Sequence, residues 1–314
     1  GITVPEEYGG SGMSYLAHLV AVEEISRASA SVGLSYGAHS NLCVNQLKLN
    51  GSDSQKKKYL PKLCTGENVG ALAMSESGAG SDVVGSMACH AEKHGNYWIA
   101  NGSKMWITNG SIAAIAIVWA QTDDGIQGFL VEKDMPGFDT DLMKRKMSLR
   151  ASITSALFFD DVRVPDANRL PGVKGLKGPL SCLSNARYGI SWGPIGAAQA
   201  CLQEVLDYTE ERVLFDRSLN CNQIVQQKLA DMSRRISTAQ LTAVRLGQLK
   251  DANQLQPTQI SMAKWNNVRM ALDIARECRD MLGGAGITTE HAAIRHMLNL
   301  ESVITYEGTE TIHQ

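Results

Sequence analysis

The sequence predicts an α+β protein in which one β-rich segment separates two helical segments. Within residues 1–69, apolar side chains such as Leu16 and Leu19 recur at helical spacing. Residues 70–167 contain short β-prone runs separated by glycine, asparagine and aspartate, whereas residues 168–314 return to helical spacing. We therefore expect an N-terminal helical domain, a central β domain and a C-terminal helical domain with these boundaries.

Two helices are predicted in the N-terminal segment. The first places Leu16 and Leu19 on one apolar face and carries Glu23 in its polar part. The second begins at Ser52, since serine is a favoured helix N-cap, and is expected to end at Pro61, since proline removes a helical hydrogen bond.

The central segment predicts several short strands. Tyr97–Ile99 and Met105–Ile107 flank Asn101 and Gly102, a pair typical of a tight β-hairpin turn. Three further apolar runs predict strands at Ile115–Trp119, Gly128–Val131 and Leu157–Val164. Such spacing is compatible with either a sandwich or a barrel.

Three long helices are predicted in the C-terminal segment. They cover Ile195–Arg212, Gln223–Asp251 and Ile260–Leu282. Gly283 and Gly284 follow the last of them, as expected for a helix C-terminus.

Composition argues against several classes of partner. The 314 residues are 44% hydrophobic and 20% charged, and the formal net charge is -2, so we expect no nucleic acid partner. No apolar run approaches the roughly 18 residues that predict a membrane span. Seven scattered cysteines without a CxxC pair argue against a disulfide framework and a zinc site, and favour a reducing compartment.

Familiar catalytic motifs are missing from the sequence. It has no GxxxxGK[ST] phosphate loop, no GxGxxG opening a strand-to-helix turn, no HExxH and no GxSxG. A P-loop, a nicotinamide-type Rossmann site, a zinc protease and a nucleophile elbow are thus not predicted, and no metal is expected.

Three dispersed segments carry the functional signal. They are Leu72–Asp82, rich in small residues, Trp106–Gly110, at a predicted strand end, and Tyr306–Thr309, where a carboxylate precedes glycine. Each taken alone has an ordinary structural interpretation as a turn, a packed strand end or a surface glutamate.

In this order, and together with the opening segment Gly1–Gly10, the three segments resemble the acyl-CoA dehydrogenase family over nearly the whole chain. The resemblance implies an N-terminal helical bundle without the first two or three family helices, a central β-barrel and a C-terminal four-helix bundle. It also implies a chain that stops shortly before the usual family end, and a homotetramer.

The resemblance also implies chemistry. FAD is the expected cofactor, an acyl-CoA thioester the substrate, and electron-transfer flavoprotein the redox partner, in fatty acid or amino acid catabolism. The location would be the mitochondrial matrix in a eukaryote or the cytoplasm in a bacterium. Glu307 matches the catalytic base, which must be buried with a raised pKa because a thioester α-proton is weakly acidic.

Further site residues follow from the same resemblance. Thr108 would place a hydroxyl near flavin N5, and the Arg212 guanidinium suits a pyrophosphate of FAD in a neighbouring subunit. The complete cofactor set is Leu72, Met74, Ser75, Ser81, Trp106, Ile107, Thr108, Arg212, Phe215, Gln223, Asp280, Gly283, Gly284, Thr309, Glu310 and Thr311. The expected substrate contacts are Ser81, Asn185, Arg187, Tyr306 and Gly308. Asp216 and Ala285 stand where the family motifs have glycine and asparagine.

The substrate prediction rests on two positions. Up to about residue 110 the chain resembles isovaleryl-CoA dehydrogenases, and from about Val118 it resembles glutaryl-CoA dehydrogenases. Ala186 occupies the position of the isovaleryl base, and Gly33 that of the arginine that binds the glutaryl carboxylate. We expect α,β-dehydrogenation of a short or branched acyl-CoA. The alternatives are glutaryl-CoA oxidative decarboxylation, an acyl-CoA oxidase and a catalytically silent scaffold.

Overall fold

A computed structural model describes residues 1–83, 85–173, 175 and 177–314. Helices precede and follow one curled sheet, so the predicted α, β, α order is confirmed. The chain forms two compact units. The first unit contains Gly1–His18, Leu34–Lys146 and Ala151–Ala186, and the second contains Leu19–Gly33, Met147–Arg150 and Arg187–Gln314.

The N-terminal region is helical. Its helices are α1 (Tyr15–Ala28), α2 (Ala30–Gly37), α3 (Asn45–Asn50) and α4 (Asp53–Thr65), with a π-helical stretch, Ala38–Val44, between α2 and α3. A capping box starts α4, since Ser52 Oγ accepts from the Gln55 N–H while Gln55 Oε1 accepts from the Ser52 N–H.

The predicted end of this helix at Pro61 is wrong, because α4 continues through Pro61 to Thr65. The proline leaves the carbonyl of Lys57 without its helical donor, and Lys57 is exposed, so water can take its place. Leu60 and Leu63, on either side of the proline, are buried and hold the helix in position.

One seven-stranded sheet forms the centre of the first unit. Its strands are β1 (Gly70–Ala73), β2 (His90–His94), β3 (Tyr97–Thr108), β4 (Ile115–Thr122), β5 (Gly125–Glu132), β6 (Phe138–Leu142) and β7 (Thr154–Pro165). They pair in the order β1-β4-β2-β3-β7-β6, and β5 pairs with β4.

The predicted hairpin at Asn101 and Gly102 is wrong, because Tyr97–Thr108 is one continuous strand. Gly102, with φ of 127°, lies at a register shift against β7 instead of at a turn. A bulge and a tight turn both favour Asn-Gly, and only the long pairing partner β7 decides between them.

Strand β4 separates two apolar cores. Ile117 and Trp119 face one core, whereas Ala116 and Val118 face the other. Alternate residues of a strand point to opposite faces, so burial on both faces explains the unbroken apolar run Ile115–Ala120.

The second unit is mainly helical. Lys177–Ile190 (α5) spans the boundary, followed by α6 (Gly193–Glu211), β8 (Val213–Leu214), β9 (Arg217–Ser218), α7 (Gln223–Asp251), α8 (Pro257–Met281), α9 (Ala292–Val303) and α10 (Glu310–His313). The three predicted long helices correspond to α6, α7 and α8. Gly283 has φ of 60° just after α8, as expected for a helix C-terminus.

The seven cysteines are unpaired in this structure. Among the described residues no helix combines the length and hydropathy required to cross a bilayer, and no cluster of three metal-ligating side chains occurs.

His296 on α9 makes stability pH-dependent. The ring is completely buried, neither nitrogen has a hydrogen-bond partner among the described residues, and burial lowers its pKa to about 4. Between pH 6.5 and 4 the unfolded ring binds a proton that the folded ring does not. Stability from this group is therefore present above pH 6.5 and is lost as pH falls towards 4, by on the order of 3 kcal/mol.

We expect His296→Leu to flatten this pH dependence in urea denaturation measured from pH 7 to 4. The leucine fills the site without a titrating group, whereas the control His90→Gln changes an exposed ring. An unchanged slope in His296→Leu would contradict the assignment.

Candidate active site

Glu307 lies on a short strained loop between α9 and α10. Glu307 has φ of 54° and Gly308 φ of 91°, so two successive residues adopt left-handed conformations. Such a conformation costs roughly 1–2 kcal/mol for a residue with a side chain, and persists where the surroundings impose it. A Cβ at position 308 would lie 2.6 Å from His313 Nε2, so only glycine fits beside that ring.

We therefore expect Gly308→Ala to destabilise the protein by more than the roughly 1–2 kcal/mol of left-handed strain. Gly66→Ala is the matched control, because Gly66 has φ of 79° but no atom lies within 4 Å of its would-be Cβ. Urea denaturation gives the free energy of unfolding of both variants, and the difference between the two losses is the effect of the steric clash with His313. Equal losses would show that the His313 side chain moves aside without cost.

The Glu307 carboxyl group is the unusual feature of this loop. The residue as a whole is only partly buried, but its Oε2 is enclosed and has no hydrogen-bond partner among the described residues. Burial raises the pKa of Glu307 to about 7, although Arg187 and Lys264 act in the opposite direction. The raised pKa makes the group a stronger base than an exposed glutamate.

Donors hold the backbone of this loop. Arg187 Nε donates to the Glu307 carbonyl over 3.0 Å, and His313 Nε2 lies 3.0 Å from the same oxygen. Lys264 Nζ donates to the carbonyls of Ile304, at 3.2 Å, and Gly308, at 2.7 Å.

The structure thus brings together four predicted residues, Arg187, Tyr306, Glu307 and Gly308. Burial, followed by the nearby Glu307, raises the pKa of Tyr306. Sequence reasoning missed two further members, Lys264 and His313. Lys264 had a readable signal, because it is a lysine on the buried face of α8, four residues after Ile260 and four before Val268.

In the first unit, a second set of predicted residues meets where β3 ends. The Met105 N–H donates to the Ser75 carbonyl over 2.8 Å, which joins the 74–75 segment to the 106–108 segment. Trp106 has φ of 64° and is 63% exposed, both unusual for a large aromatic residue. Register shifts between Lys104 and Ile107, and such bulges commonly redirect side chains beside active sites.

A buried ion pair that sequence reasoning missed supports this segment. Lys104 Nζ lies 2.8 Å from Glu76 Oε1 and donates to the Met74 carbonyl over 3.1 Å. Glu76 also accepts from the backbone N–H groups of Ala88 and Cys89. Burial alone would raise the pKa of Glu76, but Lys104 and these amides outweigh it and lower the pKa.

Three predicted cofactor residues, Leu72, Met74 and Ile107, have side chains buried in the protein. Nearby, Thr108 is partly buried and its hydroxyl has no hydrogen-bond partner among the described residues, while Ser81 is exposed.

A two-residue turn between β8 and β9 presents Phe215. Phe215 and Asp216 have φ of 53° and 59°, and the Phe215 side chain is 96% exposed. Aspartate tolerates the left-handed region better than most residues, which explains how Asp216 occupies a position where the family motif has glycine. Arg212 and Gln223, on either side, are also exposed.

The remaining predicted residues lie at two other places in the second unit and at one in the first. Asp280, Gly283 and Gly284 are exposed at the end of α8, and Ala285 follows them. In the first unit the Asn185 carbonyl accepts from the Tyr15 hydroxyl over 2.9 Å.

Thr309, Glu310 and Thr311 line an open pocket of about 220 Å³ together with Arg269 and Arg276. Arg269 pairs with the Glu310 carboxylate, which also accepts from Trp265 Nε1 over 3.0 Å. Glu310 is therefore already engaged within its own chain.

Comparison with protein families assigns most of the chain. The models for the N-terminal, middle and C-terminal domains of acyl-CoA dehydrogenase match residues 1–67, 71–162 and 173–314. The chain belongs to the acyl-CoA dehydrogenase family. It is an oxidoreductase of that family, and the fold expected from the resemblance is confirmed.

Individual relatives include both kinds of dehydrogenase named in the resemblance, and each is similar over the whole chain. Mitochondrial isovaleryl-CoA dehydrogenase of Arabidopsis thaliana is 43% identical over 100% of this chain and 78% of its own length. The crystal structure of glutaryl-CoA dehydrogenase from Mycobacterium smegmatis is 46% identical with a TM-score of 0.96, covering 100% of this chain and 80% of that one. A crystal structure of a glutaryl-CoA dehydrogenase from Mycobacterium smegmatis in complex with FADH2 is 45% identical with a TM-score of 0.95, covering 98% of this chain and 79% of that one. The prediction of FAD as the cofactor is thus confirmed.

A further similar structure is named for an electron transferring flavoprotein. A chain from a structure described as the electron transferring flavoprotein of Acidaminococcus fermentans is 34% identical with a TM-score of 0.95, over 100% of this chain and 84% of its own.

Proposed function

We propose that this acyl-CoA dehydrogenase converts short or branched acyl-CoA thioesters to enoyl-CoA, with Glu307 as the base. The observation that carries the proposal is the enclosed Glu307 carboxyl group, which has no hydrogen-bond partner among the described residues and a pKa raised to about 7. A carboxylate that were fully paired would be a weaker base, whereas this one is placed and tuned to take a proton near neutral pH.

Activation of the thioester requires a donor to its oxygen as well as a base. The Glu307 N–H has no acceptor among the described residues, so it is free to donate to a substrate oxygen. One such donor contributes about 2.7–4 kcal/mol to transition-state stabilisation in comparable sites. The proton leaves the substrate Cα for Glu307, and the negative charge that develops on the thioester oxygen is held by this N–H.

The chain offers residues that fit FAD. Trp106 is an exposed aromatic residue with φ of 64°, and the Thr108 hydroxyl two residues later has no hydrogen-bond partner among the described residues; an apolar ring and a free hydroxyl are groups that suit an isoalloxazine. When bound, FAD would supply the acceptor for the hydride from the substrate Cβ. We propose that Ser75, Trp106 and Thr108 hold the ring, while exposed glycines after α8 leave room for close backbone approach.

The remaining predicted contacts are part of the same proposal. The complete FAD set is Leu72, Met74, Ser75, Ser81, Trp106, Ile107, Thr108, Arg212, Phe215, Gln223, Asp280, Gly283, Gly284, Thr309, Glu310 and Thr311. Leu72, Met74 and Ile107 would act through their backbone, because their side chains are buried. For the substrate we propose Ser81, Asn185, Arg187, Tyr306 and Gly308.

One buried position, Gly33, supports a short or branched acyl group over glutaryl, and a second, Ala186, supports Glu307 as the base. Position 33, where the resemblance places the arginine that binds the glutaryl carboxylate, is a buried glycine and offers no side-chain cation. A glutaryl carboxylate would therefore lack its expected partner, and Arg187 already donates to the Glu307 carbonyl. Ala186 is buried and carries no acid, which leaves Glu307 as the base.

Anaerobic bleaching of the purified yellow protein tests this proposal. We expect isovaleryl-CoA and butyryl-CoA to bleach the flavin rapidly and glutaryl-CoA to do so slowly. Fast bleaching by glutaryl-CoA with release of CO₂ would instead identify the decarboxylating alternative. Rapid oxygen consumption would identify an oxidase, and a colourless protein that never binds FAD would identify a scaffold.

Partners and assembly extend the proposal. We propose electron-transfer flavoprotein as electron acceptor and a homotetramer as the working assembly, in a mitochondrial matrix or a bacterial cytoplasm. The nearly complete exposure of Phe215 supports a neighbouring subunit, because a large apolar side chain at a turn gains from being covered. Analytical ultracentrifugation tests the assembly. We also keep residues 1–69, 70–167 and 168–314 as the proposed domains.

A further inference from the structure

The buried ammonium group of Lys264 has no carboxylate within ion-pair distance among the described residues. Lys264 is 1% exposed, and its two hydrogen bonds go to the backbone carbonyls of Ile304 and Gly308. A buried lysine without a counter-charge is costly. Burial lowers the pKa of Lys264 to about 8, and Glu307 opposes that shift.

The two acceptors lie on either side of the base. Ile304 directly follows α9 and Gly308 follows Glu307, so one ammonium group binds the loop between α9 and α10 on both sides of the base. Arg187 and His313 hold the Glu307 carbonyl between them. All these contacts go to backbone oxygens, and the carboxyl group itself is left without a direct ion pair.

We propose that Lys264 is a positioning residue for the Glu307 base. Its bonds hold Glu307 and Gly308 in their left-handed conformations, which aim the carboxyl group and leave the Glu307 N–H free. A cation placed directly on the carboxylate would lower its pKa and weaken the base, whereas a cation on the backbone fixes the geometry with a smaller effect on basicity. The inference rests on the proposed role of Glu307.

Lys264→Met and Lys264→Gln form the test pair, since methionine keeps the volume without a donor and glutamine keeps one shorter donor without the charge. In the unliganded protein we expect exchange of the hydrogen-bonded backbone amides of residues 304–306 to rise at least tenfold in Lys264→Met, and less in Lys264→Gln. This measurement does not depend on activity.

In the FAD-loaded enzyme, Lys264→Met should lower the bleaching rate at saturating substrate roughly 10–100-fold, because displacement of a base by about 1 Å has an effect of this size. The pH at which the rate reaches half its maximum should rise in both variants, because Lys264 lowers the pKa of Glu307. The groups around the base that remain are Arg187, Tyr306, Glu310 and His313, and they are unchanged.

Lys228→Met is the control, because Lys228 on α7 is partly exposed and faces Glu277 at 3.7 Å. The inference would be overturned if both Lys264 variants kept the wild-type amide exchange and the wild-type pH of half-maximal bleaching rate. The proposed function fails separately, if Glu307→Gln bleaches as fast as wild type while the exchange results stand. If Lys264→Met does not fold, Lys264→Gln carries the same comparisons.

Discussion

Glu307→Gln should bind FAD normally and lose about 10³-fold in the rate of anaerobic flavin bleaching by acyl-CoA. Glutamine has nearly the same shape as glutamate and carries no charge, so the enclosed position tolerates it. Its amide cannot accept the α-proton. General-base groups commonly contribute 10²–10⁴-fold, and Ala186 leaves no second acid at the alternative position.

The wild-type rate should rise with pH through about 7. Only the ionised form of Glu307 accepts a proton, and its pKa is raised to about 7, so the active fraction is small at pH 6 and nearly complete at pH 8. Stopped-flow bleaching measures the rise in rate between pH 6 and 8. Glu290→Gln, at an exposed position, is the control. A Glu307→Gln enzyme with full activity would remove Glu307 from the mechanism.

Lys104→Met should destabilise the protein by about 3–5 kcal/mol, the usual cost of removing one partner from a buried ion pair. The Lys104 side chain is fully buried and that of Glu76 is 7% exposed, so the remaining carboxylate would have no solvent to replace the lost ammonium. Urea denaturation gives the loss directly. Because Lys104 also binds the Met74 carbonyl, FAD affinity should fall with it.

Two comparisons separate the effect of the unpaired charge from the effect of lost packing on the stability of Lys104→Met. The double variant Lys104→Met with Glu76→Gln should recover part of the stability, because it removes the unpaired charge. Lys58→Met should cost less than about 1 kcal/mol, since its pair with Glu132 is solvent-exposed. If Lys104→Met were no worse than Lys58→Met, the buried pair would not be a main support of this segment.

The secondary-structure errors have a common cause. Pro61 and the pair Asn101–Gly102 are local signals for a helix end and a turn, and both were overruled by longer-range pairing. Buried Leu60 and Leu63 carry α4 past the proline, and β7 pairs along β3 on both sides of Gly102. A local signal is worth about 1–3 kcal/mol, which tertiary packing readily exceeds.

Residue types and their order predicted the family, the α, β, α succession and Glu307 as the proposed base. The succession follows from the hydrophobic period, and the family and the proposed base follow from the resemblance of motifs at fixed separations. The tertiary structure alone decided that Lys264, Arg187 and His313 converge on the Glu307 backbone and that Lys104 pairs with Glu76. These contacts join residues between 6 and 120 positions apart. Each pairing depends on which faces of distant helices and strands meet. Burial of Glu307, which raises its pKa, arises only when these elements have packed together.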